Sequence, residues 1–363
     1  MLTVAPPGTH KASHSGLLAY FDRPAFSIGS VEFLSIDVAL SAMARGDWSK
    51  FERQLAEGLA CATYAAARGN GPTRDAIETA GNAFRYDREL IAAAEISAWL
   101  DGWGLSLEEW NGYLTRSLLR DALRDSIDDV LERHEPSTAR LLEAALAEGS
   151  CSGLFDTFED SFAGRAALAH DGARDAAPDS AVATKAAALV HANAHWLSIR
   201  PPAETLPRAQ RVLAIEAAYA ARMAALLADA PLSAIVGRHR LEWQRITTDR
   251  VIFSSEHAAH EAVLCMTHER LSLQDVASLS RRTVEHQERF ADALDPADPL
   301  LSADVGSILG PTAVEGRFEV TRIASRTWPS PDDPPIAERA HRAVVDAAVQ
   351  LAVRERVAWR HGR

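Results

Sequence analysis

The residues of this chain best suited to chemistry are its thirteen histidines and three cysteines, and two histidine pairs have a telling spacing. His191 and His195, in HANAH, stand at i, i+4, which lets two imidazoles on one helix share a metal ion. No HExxH glutamate and no third ligand accompany them, so a pair of packed or surface histidines is the plainer reading. His257 and His260 stand at i, i+3 beside Glu256 and Glu261. That setting suits a metal or a proton switch near neutral pH, and it equally suits the polar face of a helix. GSCSG (149–153) has the outline of a nucleophile elbow around Cys151, but an elbow needs a strand before it and a helix after it. A helix precedes it here, so the segment reads as a helix-to-helix turn with a buried cysteine. Neither GxxxxGK nor GxGxxG occurs, so no nucleotide site is expected, and neither a cofactor nor a metal is predicted.

The elements that must position any site are mostly helical. In FRYDRELIAAAEISAWLDGWGLSLEEWNGYLTRSLL (84–119), Ile96, Trp99, Leu100 and Trp103 lie on one helix face,. Gly102 and Gly104 let that helix stop. Ser106 with Glu109 forms a capping box for the next helix, and Leu105 with Trp110 a hydrophobic staple,. The second helix is expected to run to about Arg133. Upstream, 1–26 reads as a mobile arm, Val31–Leu34 as a short strand, and Asp47–Ala66 as an amphipathic helix. That helix is capped by Asp47 and faces inward through Phe51, Leu55, Leu59 and Ala62,. GNGPT (69–73) and HEPST (134–138) are breaks, and 170–181 reads as a loop. Helices follow over about 182–199 and 207–228, divided by Pro201–Pro202.

After Pro231 the character changes. Leu241–Phe253 predicts a strand in which Leu241, Trp243, Val251 and Phe253 share one parity, with an irregularity in the middle,. Helices over 254–266 and 271–280 precede the PLLSADVGSILGP turn (299–311), a strand over 316–326, and a last helix over about 335–359. The sequence therefore predicts an α+β chain that is mainly α. Its parts are an N-terminal arm and helix (1–70), a helical domain (71–230), a small α/β domain (236–326) and a C-terminal helix (334–360) packing back on the helical domain.

Composition narrows the function classes. Of the 363 residues, 47 % are hydrophobic and 24 % charged, ordinary for a globular chain. A formal net charge of −12 argues against nucleic-acid binding, which needs clustered Lys and Arg. Cys61, Cys151 and Cys265 make no CxxC pair, so reduced thiols are expected. No signal peptide is read at the start, and no run approaches the about 18 apolar residues of a membrane span. The expectation is a cytoplasmic protein without membrane or nucleic-acid partners.

The pattern F-R-x4-L … A-W-L-x3-G-L-S-x-E-x-W-x2-Y-L-x-R-x-L-L (84–119) resembles the helical domain of SurA/PpiC-type peptidyl-prolyl isomerases, and most of all their peptide maturation system relatives. VIFSSEHAAHEAV, LSLQDVASLS, DVGSILGP and GRFEVTRI, in that order, resemble the parvulin domain of the same group over about 240–326. The resemblance implies a SurA-like helical chaperone domain, a parvulin-like domain and a peptide or unfolded polypeptide as partner, with a ribosomally made, modified peptide as the client. It also implies two pocket histidines, yet Arg250 and Glu319 stand at those positions. They read as a salt bridge across the sheet or as two solvated charges, and prolyl isomerase activity is put in doubt. The expected function is peptide binding that assists maturation. The alternatives are an active prolyl isomerase and a peptide-tailoring enzyme. The aromatic positions implied for peptide contact are Trp99, Trp103, Trp110, Trp243, Phe253 and Phe318, for most of which core burial is the commoner fate.

Overall fold

The computed structural model describes residues 13–173 and 180–360. It is mainly helical with two small antiparallel sheets, and the chain divides into two compact units, one of them Leu226–Ala347 and the other formed by the rest.

The first unit contains α1 (Ser13–Asp22), β1 (Pro24–Ile28), β2 (Val31–Leu34), α2 (Ser35–Arg45), α3 (Asp47–Arg68), α4 (Arg74–Asp87), α5 (Ala93–Trp103), α6 (Leu107–Ala122), α7 (Ile127–Arg133), α8 (Thr138–Cys151) and α9 (Leu154–Ala173). After these come α10 (Ser180–Ala192), α11 (Ala194–Leu197) and most of α12 (Pro202–Ala228). The helix corner forms as its local signals dictate. Gly104 closes α5 in the left-handed region at φ 70°, as a helix stop requires of a residue without Cβ. The Ser106 hydroxyl accepts from the Glu109 N–H at 3.2 Å, and the Ser106 N–H donates to the Glu109 carboxylate at 2.8 Å. Leu105 and Trp110 are both buried.

Several boundaries differ from the sequence reading. Of the expected mobile arm, residues 1–12 lie outside the described residues, while 13–26 form α1 and most of β1. Phe26 explains this: it is fully buried, with its ring 4.9 Å from Phe33 and 5.8 Å from Phe162. Asp47 is the first helical residue rather than the cap, because Gly46 at φ 79° both ends α2 and opens α3. The helix expected to reach Arg133 breaks after Ala122 into a 3-10 turn, where the Ser126 hydroxyl takes the Leu123 carbonyl. Serine competes with the helix ladder in this way. Asn193 does the same between α10 and α11, donating its amide to the Leu189 carbonyl at 2.9 Å. The helix after Pro201 starts at Pro202 rather than at 207, with proline at the first helical position where its missing N–H costs nothing,. Of the expected loop 170–181, residues 170–173 belong to α9 and 180–181 to α10, and 174–179 lie outside the described residues.

An aromatic centre holds this unit together. Trp48 and Phe51 of α3, Phe155 of α9 and Trp196 of α11 are fully buried, and the Tyr20 ring stacks on Phe155 at 4.3 Å. Gly149 permits this packing, since a Cβ there would sit 2.2 Å from the Phe155 ring.

The second unit carries α13 (Leu232–Arg238), β3 (Arg245–Phe253), α14 (Glu256–His268), α15 (Leu273–Leu279), β4 (Glu285–Phe290), β5 (Ile308–Val314), β6 (Arg317–Thr327) and the first part of α16 (Pro334–Arg356). The sheet order is β4-β3-β6-β5, all antiparallel. The middle of β3 is irregular as expected: β6 has one extra residue, Ala324, opposite Thr247 and Thr248. Leu241 does not share the parity of the strand, because it precedes β3 and is 73 % exposed. Neither β4 nor β5 was expected as a strand. α16 stops at Arg356, and β7 (Val357–Trp359) pairs with β1 in the first unit, giving the order β2-β1-β7. Ile336 and Ala340 of α16 are buried with Trp243, whereas Ala352 is buried in the first unit's core. Among the described residues no single helix is long and apolar enough to cross a membrane.

Candidate functional site

The four-stranded sheet has two unlike faces, set by the two-residue period of its strands. On one face Val251, Phe253 and Val320 pack under Ala259, Ala262 and Met266 of α14 and Leu273 and Val276 of α15. On the other, Ile246 and Ile323 pack under Leu294 and Leu300. The segment that covers them is latched by Arg326, which donates to the Ala303 carbonyl at 2.6 Å and to Gln244 at 2.8 Å. Beyond this lid the second face stays open, and Arg250 and Glu319 lie there.

The register explains their meeting. Arg250 is opposite Thr321 and Ile252 opposite Glu319, so Arg250 and Glu319 are diagonal neighbours on one face. They are 3.1 Å apart. A third partner, Glu285 of β4, lies directly opposite Arg250 and accepts from its Nε at 2.9 Å and its Nη2 at 2.8 Å. The Thr321 hydroxyl donates to the free oxygen of Glu319 at 2.6 Å. Burial works against the Arg250 charge, but hydrogen bonding and attraction from Glu285 and Glu319 outweigh it and raise its pKa above the ordinary value. The arrangement is a closed electrostatic clasp. Arg250 Nε, Nη1 and Nη2 each meet a carboxylate, and a guanidinium cannot act as a general base at accessible pH. The sequence shows two of its members; Glu285 escaped notice because β4 did.

The first unit offers a different concavity. A groove of about 590 Å³ between α4 and α6 is lined by Arg74, Ile77, Gly81, Asn82, Arg85 and Trp110, among others. Its size is that of small-ligand clefts. Trp110 is 8 % exposed and its ring edge forms the floor, so close to Gly81 that a Cβ there would approach Cη2 to 3.1 Å. None of the other aromatic positions lines this groove. Trp243 and Phe253 are buried and contribute core rather than surface. Trp99, Trp103 and Phe318 are half-buried. Trp99 packs edge-on against Phe84 at 5.3 Å, and Arg23 lies over Trp103 at 4.6 Å.

The other chemical candidates are scattered. His191 and His195 fall on separate helices, and His195 pairs with Glu52 at 2.9 Å. His257 and His260 sit on the exposed side of α14. Among the described residues, no three His, Cys, Asp or Glu side chains gather as metal ligands would. Cys151 ends α8 rather than following a strand, and burial pushes its thiol up to about 12. Burial likewise pushes Tyr113 up to about 12. A consequence is measurable. Above the usual thiol range the unfolded chain loses the Cys151 proton while the folded chain keeps it, so stability is full below pH 9 and drains between about pH 9 and 12. The urea midpoint is expected to fall between pH 8 and pH 10.5, and Cys151→Ala should reduce that fall. A midpoint independent of pH would contradict the buried thiol.

No family model, curated protein or solved structure matches this chain.

Proposed function

We propose that this protein holds extended, unfolded peptide segments as a cytoplasmic accessory to the maturation of a ribosomally made peptide, and does not act on them chemically. The groove over Trp110 carries the reading: it has an apolar floor, polar rims at Arg74, Asn82 and Arg85, and a volume suited to one or two side chains of an extended segment,. The Arg250–Glu285–Glu319 clasp argues the same way from the second unit. Arg250 and Glu319 stand where the SurA/PpiC resemblance puts histidines, and the Arg250 guanidinium is already paired with two carboxylates. Strand addition along β5 is the lesser route. That edge strand carries no charge, but Pro311 and an irregularity between Leu309 and Thr312 leave only a short regular run,. Three free cysteines, two of them buried, suit a reducing compartment.

The test is fluorescence anisotropy with a labelled, unstructured Val/Thr peptide. Asn82→Trp fills the groove from an exposed position without removing a core contact. It is expected to weaken binding about tenfold, the loss of roughly 1.4 kcal/mol of apolar burial. Equal affinity of variant and wild type would sink the groove as the binding site.

A further inference from the structure

Beside the clasp, at the end of the sheet, a cavity of about 340 Å³ is lined by Ile252, Phe253, Ser254, Arg282, Thr283, Glu285 and Arg317. The strand register accounts for this gathering. Arg317 opens β6, Ser254 follows β3, and Thr283 precedes β4, so three chain ends at one edge of the sheet contribute to one hollow. Two guanidiniums enter it with little to hold them. Among the described residues the Arg282 guanidinium donates only to the Ser254 hydroxyl, at 3.2 Å, and neither Arg282 nor Arg317 forms an ion pair. The sole carboxylate of the lining, Glu285, is neutralised by Arg250 at 2.8 Å. With Glu319 counted, three guanidiniums face two carboxylates, a local positive surplus within a chain of net charge −12. The hollow also supplies two hydroxyl donors, and Ile252 gives it an apolar side.

From this geometry we infer that the cavity is an anion subsite that takes the carboxylate of an acidic residue in a bound peptide. Arg282 and Arg317 supply charge-assisted hydrogen bonds, and Ser254 and Thr283 supply neutral ones. The inference rests on the peptide-holding reading and goes beyond its groove, which belongs to the other unit: although the net charge of the whole chain favours basic partners, this subsite selects acidic ones. Long-range attraction is screened within about 8 Å at physiological salt, so the local groups decide.

The experiment compares two labelled peptides of Val and Thr, one containing glutamate and one with glutamine in its place. Their binding to the full chain at low salt is measured by anisotropy. Wild type is expected to prefer the glutamate peptide about tenfold, as one charged hydrogen-bonding contact predicts. The preference is expected to vanish in an Arg282→Ser, Arg317→Gln double variant and to invert in Arg317→Glu. Both arginines are exposed, so these variants keep their fold. Equal binding of the two peptides overturns the subsite while leaving peptide holding intact. A preference that survives in the double variant also overturns it, by locating the anion elsewhere. Binding of neither peptide overturns both readings.

Discussion

Glu148→Ala is expected to lower the stability of the first unit by about 3–5 kcal/mol, the cost of leaving a buried charge without its partner. Glu148 is 1 % exposed and Arg116 9 %. The carboxylate accepts from Arg116 Nε and Nη2, both at 3.2 Å, and from Gln54 at 3.1 Å, with Arg120 at 3.5 Å. These contacts tie α3, α6 and α8 together at one point, and Gly58 lets α3 lie against the Arg116 stem, where a Cβ would approach to 3.1 Å. The pair itself confers specificity of packing more than net energy. Replacing both partners by apolar residues, Glu148→Leu with Arg116→Met, is therefore expected to recover most of the loss. Urea unfolding followed through the buried Trp48 and Trp196 fluorescence measures both variants. A Glu148→Ala midpoint equal to wild type would show that water, and not Arg116, satisfies the site.

Gly310→Ala is expected to cost about 2–4 kcal/mol in the second unit, combining backbone strain with an immovable clash. Gly310 sits at φ 111°, where L side chains are rarely tolerated, and a Cβ there would lie 2.5 Å from the Glu319 carbonyl oxygen. That oxygen belongs to the backbone of β6 and cannot rotate away. The damage should centre on the β5–β6 pairing and loosen Glu319. Hydrogen exchange should speed up at Ile308–Val314 and Arg317–Thr327 while α8 keeps its protection. Unchanged protection in β5 would contradict the close approach.

What could be read in the sequence was local. The α5–α6 corner and the breaks at 69–73 and 134–138 depend on neighbouring residues and form where expected, and the helices expected over 254–266 and 271–280 form within two residues of their expected starts, behind the caps Ser255 and Ser272. The Arg250–Glu319 bridge was also within reach, because two strands of known parity bring such residues to one face. The missing pieces depend on partners far away in the chain. β4, EHQERF, looks like a solvated stretch, since an edge strand with both faces largely exposed shows no apolar alternation,. Without β4 there was no Glu285 and no cavity beside it. β7 forms by pairing with β1, where Phe26 and Trp359 meet across more than three hundred residues with rings 5.9 Å apart. The tryptophans illustrate the limit in another way: helical spacing marks Trp110 as inward-facing, but only the packing of α4 through Gly81 against α6 turns its ring edge into the floor of a groove.

The proposed function is peptide binding without isomerisation. Exchange spectroscopy of a short proline-containing peptide tests both halves together, with the protein present at a small fraction of the peptide concentration. Peptide resonances are expected to broaden or shift on adding protein, while no cis–trans exchange peaks appear above the uncatalysed background. Exchange peaks that grow with protein and disappear in an Arg250→Ala, Glu319→Ala variant would contradict it and make the clasp a catalytic pair.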